Sequence, residues 1–339
     1  MIIKQDFSLK EYNTFGIDVK ANHFVEVSSK EDLKLFLSDS PLAKKINLIL
    51  GGGSNLLLTG NLDVVLHINL KGKRVLIENE HDTIIEAEAG ENWHELVLWA
   101  IQKNLGGIEN MSLIPGNIGT APMQNIGAYG VEIKDVFHSL DAVELNTGKE
   151  VSFTNEACKF GYRESFFKNE GKGKYIITRV RLKLCKPPHN ISTQYGAIKG
   201  ELANLGIENP TILDVSNAVI AIRKSKLPDP KELGNSGSFF KNPIIAKTFA
   251  DKLITKFPDL PIYPIDDENV KVAAGWLIEK AGWKGYRDGD AGVHKNQALV
   301  LVNYGSATGT QLINLAHSIM DSVKDKFGIE LIPEVNIIS

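Results

Sequence analysis

The chain of 339 residues holds only two cysteines, Cys158 and Cys185, and no Cys-x-x-Cys pair. That scarcity excludes a disulfide framework or a cysteine-built metal centre and fits a reducing compartment. No run of about 18 apolar residues occurs, which removes a membrane-spanning helix. The opening MIIKQDFSLKEYNTFG lacks the apolar core of a secretory signal, so a cytoplasmic location is the expectation. An excess of one charge is missing too: 38 Lys and Arg stand against 41 Asp and Glu, for a net charge of −3. A nucleic-acid binder usually carries a basic face, so no nucleic-acid partner is expected. Internal repeats and low-complexity segments are also absent. What remains is 43% hydrophobic and 23% charged, an ordinary globular composition with enough apolar residues for a real core.

The familiar nucleotide fingerprints are missing as well. There is no Gly-Lys-Ser or Gly-Lys-Thr, which excludes a Walker loop, and after Gly51 and Gly53 of LGGGSN (50–55) Leu56 stands where GxGxxG needs its third glycine. Short strands joined by Gly-rich turns fill the first half. NLILGGGSNLLLTG is two apolar runs around a glycine triplet, and TIIEAEAGEN alternates like a half-buried strand. ENWHELVLWAIQKNLGG places Trp93, Leu96, Val97, Ala100 and Ile101 at helical spacing, with Gly106 as the natural stop. VFHSLDAVELNTGKEVSF predicts a hairpin about Asn146, and KYIITRVRLKL a long strand with charges on alternate residues. After about residue 200 helices mix with strands. SNAVIAIRKSK, AKTFADKLITKF and VKVAAGWLIEKAG each carry an apolar stripe, and Gly309 to Phe327 reads as a helix stopped by Gly328. IELIPEVNII reads as a closing strand. The fold class is α+β, with a soft boundary between 195 and 215.

Two glycine stretches stand out, GGGSN and IPGNIGTAPMQNIGAYG (114–130). Glycine permits positive φ and lets backbone N–H groups approach an anion. Alone, GGGSN reads as a tight turn more readily than as a phosphate cradle. The second stretch, with four glycines, Asn117, Gln124 and Asn125 and few charges, tips the pair toward a dinucleotide. Further polar residues sit in restricted settings: Tyr162 and Arg163 in GYRESFFK, Lys226 before two prolines, Ser238, Lys241 and Asn242 in GNSGSFFKNP, Lys284, His294 and Gln297 further on, and Glu334 in an apolar terminal run. Each also has a plain reading: a surface ion pair for Arg163, an exposed strand face for Glu334, a partly buried satisfied histidine for His294, a solvated loop cation for Lys226, a packed aromatic for Tyr195. Ser238 has no GxSxG elbow around it and makes no case as a nucleophile.

Seven stretches nevertheless occur in a recognisable order: NTFG, GGGSNLLL, IPGNIGTAPMQNIGAYG, YRES, GSFFKNP, AAGWLIEKAGWKG and IPEV. Together they resemble the UDP-N-acetylenolpyruvoylglucosamine reductases from about residue 10 to the C-terminus, and STQYGAIKGEL resembles the loop of the longer, type I form. The resemblance implies a vanillyl-alcohol-oxidase-type FAD-binding region over 1–210, in two subdomains of about 1–70 and 71–210. It implies a smaller α/β substrate domain over 211–328 and a terminal strand, 329–339, returning toward the FAD region.

By the same resemblance, NADPH reduces FAD and the flavin passes hydride to the enolpyruvyl ether of a UDP-sugar. The implied FAD contacts are Gly51, Gly52, Gly53, Ser54, Asn55, Pro115, Gly116, Gly119, Thr120, Gln124, Asn125, Gly127, Ala128 and Tyr129. Arg163 and Glu334 take the positions that stabilise a carbanion delocalised into the substrate carboxylate, and Ser238 that of the proton donor. Tyr162, Tyr195, Lys226, Asn242, Lys284 and Gln297 take substrate-binding positions, the diphosphate falling to Lys226 and Tyr195. No metal is implied, and a monomer is expected. Another flavin-dependent oxidoreductase of the same fold, or a non-catalytic flavin or nucleotide-sugar binder, are the competing readings.

Overall fold

The computed structural model describes all 339 residues. Helices and strands are mixed throughout, as an α+β chain requires, and the chain divides into two compact units. The first comprises Met1–Phe7, Ala21–Gly53 and Leu62–Ser225; the second comprises Ser8–Lys20, Ser54–Asn61 and Lys226–Ser339. This division differs from the expected boundary between 195 and 215. The helix Ile212–Lys226 packs Val215, Ala218, Val219 and Ile222 onto Ile198 and Leu202 of the first unit, and that shared apolar cluster holds it there.

In the first unit, the strands Lys20–Val27 and Ile46–Leu50 both pair in parallel with Leu62–Ile68. The helix Lys30–Asp39 makes the crossover, its start capped by Ser29, whose hydroxyl accepts from the Asp32 amide. Leu33 and Phe36 bury its inner face against Val25, Val27, Val64 and Leu66. A five-stranded antiparallel sheet follows, in the order Glu150–Thr154, Phe137–Glu144, Tyr175–Cys185, Asp82–Glu88, Lys73–Glu78. The alternate charges of the long strand have partners across it: Arg179 meets Glu88 at 2.6 Å, and Arg181 meets Glu86 at 2.8 Å and Asp141 at 2.6 Å. Its other face buries Val180, Leu182 and Leu184 in the cluster that holds Trp93 and Leu96.

The helix from Trp93 ends at Gln102, earlier than Gly106 suggests, because Asn104 already takes the left-handed conformation at φ 56°. Gly106 instead bridges Cys185, where a Cβ would come within 2.9 Å of the His189 ring.

The second unit carries a sheet in the order Gly234–Asn235, Leu301–Asn303, Ala291–Val293, Arg287–Asp288. A three-stranded sheet has Asn269–Val272 at its centre, so VKVAAGWLIEKAG is strand then helix: Val272 ends the one, and Ala274–Lys280 forms the other. The helix Gly309–Phe327 is present as its periodicity predicts, with a Thr308–Gln311 capping box and Gly328 at φ 68°. The expected closing strand shrinks to Asn336–Ile338, paired in parallel with Leu56–Leu58. Pro333, which has no N–H to offer a ladder, lies in an isolated bridge with Phe240. No helix is long and apolar enough to cross a membrane.

Candidate active site

In the first unit the segment 116–119 is laid along the start of the helix at Trp93. The Trp93 amide donates to Gly116 O at 3.0 Å, Ile118 N to Glu91 O at 2.9 Å, and Gly119 N to Ala89 O at 2.9 Å. The loop then winds through short 3-10 turns, with Asn125 at φ 44° and Tyr129 at φ 51°. Thr120 closes one turn by donating to Asn117 O. Asn125, fully buried, donates to Glu132 and to Gly161 O and accepts from the Lys134 amide. Pro115 is exposed, while Gln124, Gly127 and Ala128 are half-buried.

The four residues Gly161 to Glu164 form a tight turn closed by paired backbone bonds, with Arg163 in the left-handed region at φ 56°. The turn is tied to the glycine loop. Arg163 Nη2 donates to Gly127 O at 3.0 Å, and Ser165 Oγ donates to Met123 O at 2.6 Å. The Arg163 guanidinium lies 5.8 Å from the Tyr162 ring centre. Tyr195 is half exposed at 52% and meets Tyr129 edge to face, the ring centres 5.3 Å apart.

Whether an FAD suits these loops can be judged from the glycines. A Cβ on Gly52 would stand 2.8 Å from Gly116 Cα and 2.9 Å from Asn117 Oδ1. Gly52 therefore meets Gly116 backbone to backbone, with the Asn117 side chain beside it and that of Thr120 beside Gly51, and close main chain of this kind suits a pyrophosphate. The residues present fit the cofactor.

Leu113 marks the entry to the loop. It is not glycine, yet it sits at φ 58°, a conformation that persists only when its surroundings over-determine it. Its amide donates to His94 Nδ1 at 3.0 Å, and its carbonyl accepts from Arg223 Nε at 3.2 Å. Accepting that bond requires a neutral His94. Burial pushes the imidazole below its ordinary value of 6.5, and the Arg223 and Lys224 charges add to this, against a smaller opposing pull from Glu95. The sign follows. The unfolded chain takes up the proton near 6.5 while the folded one resists it, so acid between 6.5 and the folded value costs stability. Denaturant unfolding at pH 7.5 and 5.5 should show a smaller acid loss in His94→Asn, whose Oδ1 stands where Nδ1 accepts the bond, than in the parent. Equal losses would remove His94 from this role.

Arg223 was not legible as a site residue, although its placement on the apolar stripe of its helix, next to Ile222, is a signal that could have found it. Burial, the largest influence, pushes its guanidinium below the ordinary arginine value, with the Arg163 charge adding to this and the Tyr129 phenol opposing it. Burial likewise raises the Tyr129 phenol, which stays neutral. Cys158 is buried and pushed up to about 12, so it is inert as a nucleophile.

In the second unit, Ser238 is exposed on a loop whose frame is fixed on each side. Asn235 donates to Pro228 O and Leu233 O and accepts from the Gly237 amide, with Gly237 at φ 69°. Ser236 Oγ donates to Ser54 O at 2.8 Å. Phe239 and Phe240 are buried at 0% and 1% exposure, their rings 5.1 Å apart. The Glu334 amide donates to Phe239 O at 2.8 Å, and Asn55 Nδ2 donates to Glu334 O at 3.2 Å. Ser238 and Glu334 are thus on adjoining strands of backbone.

Asn242 Oδ1 caps the helix Ala274–Lys280 by accepting from the Ala274 amide. Lys284 pairs with Glu279 at 2.9 Å, Gln297 Oε1 meets the Leu299 amide at 3.5 Å, and Lys226 is exposed. His294 is buried and burial pushes its imidazole down, but its Nδ1 makes no hydrogen bond within the protein, so it is not the partly buried, satisfied histidine that the sequence suggests.

Comparison with known proteins adds independent findings. Residues 21–154 match the model of an FAD binding domain, and residues 229–338 match that of the UDP-N-acetylenolpyruvoylglucosamine reductase C-terminal domain. The chain is 57% identical over 339 residues to the UDP-N-acetylenolpyruvoylglucosamine reductase of Flavobacterium johnsoniae, covering 100% of both. It is 52% identical to that of Pseudomonas savastanoi pv. phaseolicola, covering 99% of this chain and 98% of the other. The crystal structure of UDP-N-acetylenolpyruvylglucosamine reductase from Thermus caldophilus aligns over 100% of both chains with a TM-score of 0.68 at 25% identity.

Proposed function

The chain belongs to the UDP-N-acetylenolpyruvoylglucosamine reductase family, and from that premise we propose that it reduces UDP-N-acetylglucosamine enolpyruvate to UDP-N-acetylmuramate with NADPH as the reductant. It is a flavin-dependent oxidoreductase of peptidoglycan precursor synthesis. The observation that carries the residue-level reading is the backbone bond from Glu334 to Phe239, which sets the carboxyl-bearing segment beside the one that bears Ser238.

FAD, held by the backbone of the glycine stretches 51–55 and 115–130, would supply the hydride chemistry between NADPH and the terminal carbon of the enolpyruvyl group. Negative charge then develops on the neighbouring carbon and spreads into the carboxylate it carries. Arg163 offers that oxygen pair a planar fork of N–H donors, and Glu334 takes the second carbanion-stabilising position. Ser238 Oγ gives its proton to the carbon. Phe239 and Phe240, buried behind it, exclude water. Lys226 and Tyr195 take the diphosphate. Asn242, its carbonyl oxygen committed to Ala274, offers its amide hydrogens, and Lys284 and Gln297 complete the wall.

The test is anaerobic. NADPH should bleach the flavin, and the enolpyruvyl nucleotide should restore its oxidised spectrum. Bleaching without return would leave a flavin-dependent oxidoreductase with a different substrate. Tyr195→Phe removes one phenolic hydrogen bond to a charged ligand, so KM for the nucleotide should rise roughly tenfold with kcat little changed. An unchanged KM would take Tyr195 out of the binding wall.

A further inference from the structure

We infer that Asn110 is a positioning residue: one buried amide that fixes Tyr195 over the substrate site by tying the Tyr195 loop to the glycine loop. The inference rests on the substrate role proposed above for Tyr195. Asn110 lies in the 3-10 turn Glu109–Met111 and is 1% exposed. Its Nδ2 donates to Tyr129 O at 3.2 Å and to Ser192 O at 3.0 Å. Both partners are backbone carbonyls, which can only accept, so the amide orientation is fixed by its surroundings. Ser192 lies three residues before Tyr195, and Tyr129 carries the ring that Tyr195 meets edge to face at 5.3 Å. A single side chain therefore grips the backbone on both sides of one aromatic contact.

The neighbourhood explains why such a grip is needed. Residues 186–194 contain no helix or strand, so no ladder of backbone bonds holds this stretch in register. Its base is anchored by packing: Ile191 and Tyr129 lie against the cluster of Ile198, Val215 and Val219. The turn that carries Asn110 is held in turn. Trp93 Nε1 donates to Met111 O at 3.0 Å. Ser112 Oγ donates to Glu109 O, and at 2.8 Å accepts from Ser216 Oγ. Asn110 Oδ1 makes no hydrogen bond within the protein, so the buried amide is retained for its two N–H groups.

Asn110→Ala should raise KM for the enolpyruvyl nucleotide about tenfold, the scale of one to two lost buried hydrogen bonds, while kcat stays within about twofold and bleaching by NADPH is unchanged. Asn110→Leu, which keeps the branched shape and removes both N–H donors without burying a charge, is carried in parallel so that a folding defect in the alanine variant leaves the test intact. In a Tyr195→Ala background the same substitutions should add nothing, because the residue that Asn110 positions is gone. Equal effects in both backgrounds would reduce Asn110 to general packing and overturn the inference. Independently of any substrate, amide hydrogen exchange over 186–195 in the FAD-loaded protein should quicken in both variants, and unchanged exchange would equally overturn it. A parent enzyme that the nucleotide fails to reoxidise would refute the functional reading, while the exchange measurement still decides whether Asn110 is the latch.

Discussion

Ser238→Ala should leave bleaching of the flavin by NADPH at its parental rate and slow its recovery with the enolpyruvyl nucleotide by about 10²- to 10⁴-fold, the range general acid catalysis supplies. The split between half-reactions is the informative part. Proton transfer to carbon belongs only to the second, so a serine that merely shaped the flavin environment would alter both. The substitution is also structurally mild. Ser238 is exposed, and the frame about it is made by other groups: the Asn235 side chain on one side, and on the other the Phe239 amide donating to Leu299 O at 2.7 Å. Stability should change by less than about 0.5 kcal/mol, as for surface substitutions away from special features. A variant that reoxidises at the parental rate would require another donor.

The parts of this architecture with a local cause were legible in sequence. The Gly309–Phe327 helix has its own apolar stripe, capping box and left-handed glycine stop, and the Tyr175–Cys185 strand alternates as its pairing demands. The triplet proposed as catalytic could be read only through its motifs, because neither charge pattern nor spacing marks Ser238 or Glu334. Long-range pairing left no local trace. The segment Ser54–Asn61 belongs with the second unit because Leu56–Leu58 pairs with residues at the far end of the chain. Leu113 resembles any apolar loop residue, and its left-handed backbone follows from bonds to His94 and Arg223, distant in sequence. Arg223 shows the reverse case: a charge on a buried helical stripe is visible in sequence, but what it meets there is not.

Gly52→Ala should lower FAD affinity about 10- to 100-fold while the protein still folds. The added methyl carbon would stand 2.8 Å from Gly116 Cα, 2.9 Å from Asn117 Oδ1 and 3.1 Å from Asn117 N. Two of these three atoms are backbone, so no side-chain rotation relieves the clash, and the loops must part. Overpacking of this kind costs about 1–3 kcal/mol. The cost falls on the contact between the two glycine stretches, because Gly116 O is already held by the Trp93 amide and Gly119 N by Ala89 O, which leaves the 51–53 loop as the part that yields. Moving that loop displaces the backbone groups proposed to face the pyrophosphate, whereas the apolar clusters of the first unit do not include it. The expected result is therefore a thermal midpoint for the flavin-free protein close to the parent's, a much weaker flavin titration, and near-parental turnover once FAD is saturating. Flavin affinity equal to the parent's would mean that the glycine loops do not form the cradle, and a collapse of the flavin-free midpoint would mean that Gly52 serves the fold before it serves the cofactor.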